Sequence, residues 1–126
     1  MMHALVIDDA RAMRLILRQI LQKLGFQVSE AGDGREGLDQ LRRLGKPDVA
    51  LVDCHMPEMD GLAFVRAVRT DAALADLRVV MVTAGDEAGQ AARALEAGAS
   101  AYLTKPFDKE AIRAKLAELG LTRGIA

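Results

Sequence analysis

Short apolar runs alternate along the chain with longer stretches in which apolar residues recur every three or four positions, the two periods expected of strands and helices. Residues 4–7 (ALVI) are continuously apolar, and Met13, Ile16, Leu17, Ile20, Leu21 and Leu24 then fall at helical spacing until Gly25 offers a stop. Residues 26–31 (FQVSEA) predict a weaker second strand with Val28 inside. Gly32-Asp33-Gly34 is a turn into a second helix, where Asp33 and Glu36 have the spacing of a capping pair and Leu38, Leu41 and Leu44 form the buried stripe. Gly45 ends that helix and Pro47 precedes a third strand at 49–53, followed by a loop at 54–60. A third helix over 61–70 turns Phe64, Val65 and Val68 inward, and the β-favouring run 77–83 predicts strand four. Helix four, about 86–97, is rich in alanine and has Leu95 as its main large apolar residue, so thinner packing and more mobility are expected there. Strand five at 101–103 leads to a fifth helix with Asp108 as N-cap, Ala111, Ile112, Leu116 and Leu119 on one face, and Gly120 as its end.

Five near-continuously apolar strands separated by helices imply an α/β fold with a parallel sheet covered on both faces. In doubly wound sheets of this kind, ligands sit at the carboxyl ends of the strands, where the winding direction reverses. Those ends read Asp8-Asp9, Asp53, Thr83 and Lys105-Pro106 after strands one, three, four and five. Three carboxylates at one rim repel each other unless a cation joins them, and hard oxygen donors favour Mg²⁺. An ammonium and a hydroxyl at the same rim suit the equatorial oxygens of a phosphoryl group, and an Asp can serve as nucleophile to form an acyl phosphate.

Composition narrows the partners. The 126 residues are enough for one domain, expected to span 1–126 with a core at about 3–119 and a tail at 120–126. With 17 Lys and Arg against 18 Asp and Glu the net charge is −1, which gives no electrostatic reason to expect nucleic acid or an anionic membrane as the main partner. No apolar run approaches the roughly 20 residues of a membrane span, and residues 1–9 lack the basic start and cleavage site of a signal peptide. The single Cys54 excludes an internal disulfide and fits a reducing cytoplasm.

Asp8-Asp9, the stretch 53–61 (DCHMPEMDG), Thr83-Ala84 and Lys105-Pro106-Phe107 resemble the motifs of response-regulator receivers of two-component signalling, over nearly the whole chain. The middle stretch alone fixes six residues, a coincidence on the order of 1 in 10⁷–10⁸ per start position at average composition. The resemblance implies a flavodoxin-like (βα)₅ sheet in the order 2-1-3-4-5, with Asp53 as phosphoacceptor from a histidine kinase or histidine phosphotransfer protein. It implies Mg²⁺, with Mn²⁺ able to substitute, held by Asp8, Asp9, the Asp53 carboxylate and the backbone carbonyl of His55. Thr83 and Lys105 would contact the phosphoryl oxygens, Thr83 and Tyr102 would form the switch, and Pro106 would follow a cis peptide. Side chains at positions 55 and 85, here His55 and Gly85, would tune hydrolysis of the acyl phosphate. The surface of helix four, strand five and helix five would meet a downstream protein, in a cytoplasmic monomer or a phosphorylation-dependent dimer. Met13-Arg14 also resembles the chemotaxis-like subgroup, although Met13 fits the core stripe equally well.

Plainer readings stand beside these. An acidic pair alone is more often a solvated loop or helix cap, Thr83 fits a strand as a β-branched residue, and Tyr102 fits edge-strand packing. A Cys54-His55 nucleophile or soft-metal site fails because adjacent strand residues do not present their side chains to one point. An aspartyl-phosphate hydrolase needs a second Asp where His55 stands. A flavodoxin-like electron carrier needs a hydroxyl-rich loop after strand one, and residues 8–12 are DDARA. A free-standing regulator and a receiver cut from a longer protein with an output domain both remain open.

Overall fold

The computed structural model describes residues 2–56, 59–83 and 89–121. In order these residues form β1 (His3–Ile7), α1 (Arg11–Lys23), β2 (Gln27–Ala31), α2 (Gly34–Leu44), β3 (Val49–Asp53), α3 (Gly61–Arg69), a 3₁₀ turn (Ala72–Leu74), β4 (Arg78–Thr83), α4 (Gln90–Ala97), β5 (Ala101–Thr104) and α5 (Lys109–Glu118). The five strands are parallel and ordered β2-β1-β3-β4-β5, the flavodoxin-like order. Ile7 pairs with both Ala31 and Val52, Asp53 with Val82, and Thr83 with Thr104, so the acidic and hydroxyl residues reach the same rim.

Strand alternation divides the apolar residues between two cores. Leu5, Ile7, Ala50 and Val52 face Leu38 and Leu41 of α2, Phe64, Val65 and Val68 of α3, and Ala94 of α4. Ala4, Val6, Val49 and Leu51 face Leu17 and Leu21 of α1 and Ile112 and Leu116 of α5. Helices therefore cover both faces, and the chain changes face between β1 and β3, which opens the rim crevice at their carboxyl ends.

The expected stripes are corrected at three helices. Leu44 is 65% exposed, and Gly34, Gly37, Leu38 and Leu41 carry the buried face of α2 instead. A Cβ at Gly37 would lie 2.4 Å from Ile7 Cδ1, so the missing side chain lets α2 sit directly on β1. On α4, Leu95 is 46% exposed and the fully buried Ala94 makes the contact, which leaves that helix little apolar surface against the sheet. The expected first turn of helix four, 86–88, lies outside the described residues. On α1, Ile16 points outward and the burial falls to Leu17 and Leu21.

Local polar chemistry sets the ends. Asp33 Oδ1 accepts from the Glu36 amide at 2.8 Å, while Glu36 Oε2 accepts from the Gly32 amide at 3.0 Å, one residue before the cap itself. Asp60, Asp71 and Asp108 cap α3, the 3₁₀ turn and α5 in the same way. The 3₁₀ turn was not legible as an element, and it buries Leu74. No helix among the described residues is long and apolar enough to cross a membrane.

Candidate functional site

Asp8 follows the last residue of β1, and its amide continues the ladder by donating to the Ala31 carbonyl at 3.1 Å. Its side chain is 1% exposed; Oδ1 accepts from the Ala10 amide at 2.8 Å, and Oδ2 is buried without a hydrogen-bond partner. Asp9 is exposed, and Asp53, the last residue of β3, is 7% exposed. One oxygen from each of the three carboxylates lies within 4.8 Å of the others.

That crowding has an electrostatic consequence. Burial pushes the Asp8 carboxyl above its ordinary range, and the charges of Asp53 and Asp9 push the same way, against the Ala10 hydrogen bond and the Lys105 charge. Lys105 enters from the turn after β5 and places Nζ 3.3 Å from Asp53 Oδ1. Its amide donates to the Thr83 carbonyl at 2.8 Å, which fastens the Lys105 segment to the end of β4, where Thr83 is buried. The Lys105–Pro106 peptide is cis. An orphaned carboxylate oxygen inside a set of three hard oxygen donors suits a small divalent cation such as Mg²⁺.

The residues after Asp53 shape the rim. The Gly61 amide donates to the Cys54 carbonyl at 3.2 Å and opens α3, while Asp60 Oδ1 accepts from the Ala63 amide at 2.9 Å. A Cβ at Gly61 would stand 2.6 Å from the Asp53 carbonyl oxygen, so the close approach of α3 to the end of β3 requires glycine. Met56 and Met59 pack against the core under α2 and α3. Asp60 and Gly61 thus have roles beyond the motif at 53–61, a helix cap and a close approach, that the sequence also signals. The signal was an Asp-Gly pair directly before an apolar helix, an N-cap signature.

The other expected residues lie further out. His55 is exposed, two positions past Asp53, and Cys54 is buried. Tyr102 is 37% exposed on the edge strand β5, paired with Met81, and the Lys115 ammonium stands 5.5 Å from its ring centre. Gly85 lies outside the described residues. Arg14, whose sequence signal is only the subgroup resemblance of Met13-Arg14, donates from Nη1 to the Asp8 carbonyl at 2.6 Å.

The family model of the response regulator receiver domain matches residues 4–117 of this sequence. The chain belongs to that family. The receiver is 38% identical over 119 residues to the chemotaxis protein CheY of Pseudomonas aeruginosa, covering 94% of this chain and 95% of that one. Its structure superimposes on the chemotaxis response regulator CheY4 of Vibrio cholerae with a TM-score of 0.87 at 31% identity, covering 94% and 98% of the two chains. It also matches a two-component system response regulator/GGDEF domain protein with a TM-score of 0.87 and 32% identity, covering 97% of this receiver but 50% of that chain. The receiver fold is thus similar both to chains of its own length and to half of a longer one.

Proposed function

We propose that this receiver takes a phosphoryl group on Asp53 from the phosphohistidine of a histidine kinase or phosphotransfer protein, and that the acyl phosphate switches a protein-binding surface. The observation that supports the reading most is the buried, unpartnered Asp8 Oδ2 within the three-carboxylate cluster, beside an Asp53 already paired with Lys105. Asp8, Asp9, Asp53 and the His55 backbone carbonyl would hold Mg²⁺, or Mn²⁺ in its place, which supplies charge neutralisation for the transferring phosphoryl group when bound.

A carboxylate oxygen of Asp53 attacks phosphorus in line; the P–N bond breaks, and its electron pair leaves on the donor imidazole. Lys105 Nζ, 3.3 Å from Asp53 Oδ1, needs only a small movement to donate to a phosphoryl oxygen instead. Thr83, buried at the adjacent strand end, donates its hydroxyl to a second oxygen. Its movement admits an inward rotamer of Tyr102 and changes the surface of α4, β5 and α5. His55 and Gly85 set how fast water hydrolyses the product. The receiver is in this reading a phosphoacceptor module of the cytoplasm rather than a turnover enzyme, and its bound partners are proteins.

Acetyl phosphate with Mg²⁺ is expected to add about 80 Da to the intact protein, the mass of one phosphoryl group. Asp53→Asn abolishes that gain, and a variant labelled at the normal rate would refute the assignment.

A further inference from the structure

The turn from β1 to α1 presents two of the three clustered carboxylates, so whatever fixes its backbone also fixes the site. The Asp8 amide is held by Ala31 and the Asp8 carboxylate by the Ala10 amide. The carbonyl of Asp8 belongs to the peptide that joins it to Asp9, and it is held by a side chain, Arg14 Nη1, at 2.6 Å. Ala10, the N-cap of α1, provides no side-chain cap of its own.

Arg14 is itself tied down. Its Nε donates to Glu30 Oε1 at 3.2 Å, and the other oxygen of Glu30 accepts from Arg18 Nη1 at 2.7 Å. The Glu30 carbonyl accepts from Gln40 Nε2 at 2.7 Å, and Glu30 stands opposite Val6 in the sheet. One guanidinium thus spans from β2 to the carbonyl between the two metal-site carboxylates. Its planar fork makes both bonds at once; a lysine ammonium at the same place carries the charge but not the fork.

We propose that Arg14, anchored by Glu30, is a positioning residue that sets the Asp8–Asp9 peptide and thereby the divalent-cation affinity of the receiver. This rests on the phosphoacceptor reading above for the identity of the cation. Outer partners that orient metal ligands typically carry about 10- to 100-fold in affinity. A role through charge alone predicts the opposite sign, because removing a cation beside three carboxylates would tighten Mg²⁺ binding.

The test is a calorimetric Mg²⁺ titration of the unphosphorylated protein, with amide hydrogen exchange of residues 8–10 followed by NMR and the urea midpoint recorded to establish folding. Arg14→Lys and Arg14→Gln are both expected to weaken Mg²⁺ about 10-fold and to speed exchange at the Asp8 and Ala10 amides, the two that are hydrogen-bonded in this turn. Glu30→Gln is expected to weaken it less, and Arg14→Gln with Glu30→Gln together no more than Arg14→Gln alone, because the two act as one unit. Wild-type-like affinity in Arg14→Lys, tighter binding in Arg14→Gln, or additive losses would overturn the inference while leaving the phosphoacceptor reading intact. Wild-type protein that binds no Mg²⁺ would overturn both.

Discussion

Gly61→Ala adds one methyl group at the point where α3 meets the end of β3. That carbon would stand 2.6 Å from the Asp53 carbonyl oxygen, 2.6 Å from Met81 Cε and 3.0 Å from Cys54 Cα, against 3.4–4 Å for ordinary van der Waals contact. Met81 is fully buried and two of the three atoms are backbone, so relief must come from moving α3 or the end of β3. Overpacking of this kind costs about 1–3 kcal/mol. The better helix propensity of alanine returns at most about 1 kcal/mol, and less than that at the first helical position. A net loss of about 1–2 kcal/mol is expected, read as a lower urea midpoint with unchanged slope. Gly37→Ala is the control: its Cβ would meet Ile7 Cδ1 at 2.4 Å and Phe64 Cε1 at 3.3 Å, both terminal side-chain atoms rather than backbone. Both variants lose stability, but only Gly61→Ala slows phosphorylation by acetyl phosphate per folded molecule, because only it displaces the backbone of Asp53. Gly61→Ala with wild-type stability, or Gly37→Ala slowing phosphorylation equally, would refute the reasoning.

Two further outcomes follow from the rim and the edge strand. Burial holds the Asp8 carboxyl above its usual range, so the folded metal-free protein binds that proton more tightly than the unfolded chain does. The charged form therefore costs stability at neutral pH, and the cost fades as pH falls from the raised folded value toward the unfolded one. In EDTA, Asp8→Asn is expected to gain about 1–3 kcal/mol at pH 7, the scale of an unsatisfied buried polar group, with the gain shrinking toward pH ~4; a destabilised variant, or a gain that grows on acidification, contradicts this in urea titrations. Tyr102 is the only tyrosine of a chain without tryptophan, so its fluorescence reports one site. Phosphorylation is expected to lower its quenching by iodide as the ring turns inward, and unchanged quenching in fully phosphorylated protein would remove Tyr102 from the switch.

The strands were legible because parallel strands buried on both faces must be continuously apolar, and 4–7, 49–53 and 77–83 had no other way to be satisfied. The site was legible for a related reason: a charged residue at the end of such a run, as Asp53 is, stands out against its strand. The helices were read less well because hydropathy counts apolar residues and ignores where a helix comes close enough to its neighbour to exclude them. Leu44 and Leu95 continue their stripes in sequence, yet α2 turns Gly37 to Ile7 and α4 turns Ala94 to the sheet, and in both the small residue makes the contact. Arg14 was hidden by the opposite ambiguity. A basic residue on an amphipathic helix reads as solvated, and nothing in its local pattern shows that β2 will bring Glu30 beside it.

A carboxylate buried at the cost of an unsatisfied oxygen is a conflict that a sequence selected for stability alone would remove, by an amide or an apolar residue of similar size. The chain has a cation close by in Lys105, but its ammonium is on Asp53 rather than on Asp8. Arg14 also comes near, but it takes the Asp8 carbonyl and leaves Oδ2 alone. Lys105 and Arg14 are thus both committed to other atoms, and among the described residues Asp8 Oδ2 is left without a hydrogen-bond partner. A divalent ion would satisfy that oxygen, whereas a third basic side chain would fix the charge permanently and make the rim insensitive to what arrives there. On the proposed reading the same division of labour would keep Lys105 exchangeable: paired to a single oxygen of Asp53 and about one-third exposed, it would pass to a phosphoryl oxygen as phosphorylation removes the Asp53 carboxylate charge. On the proposed reading, the stability given up at Asp8 and the loose pairing at Lys105 are two parts of one arrangement, in which cation binding and phosphoryl transfer would complete the charge balance that folding leaves open.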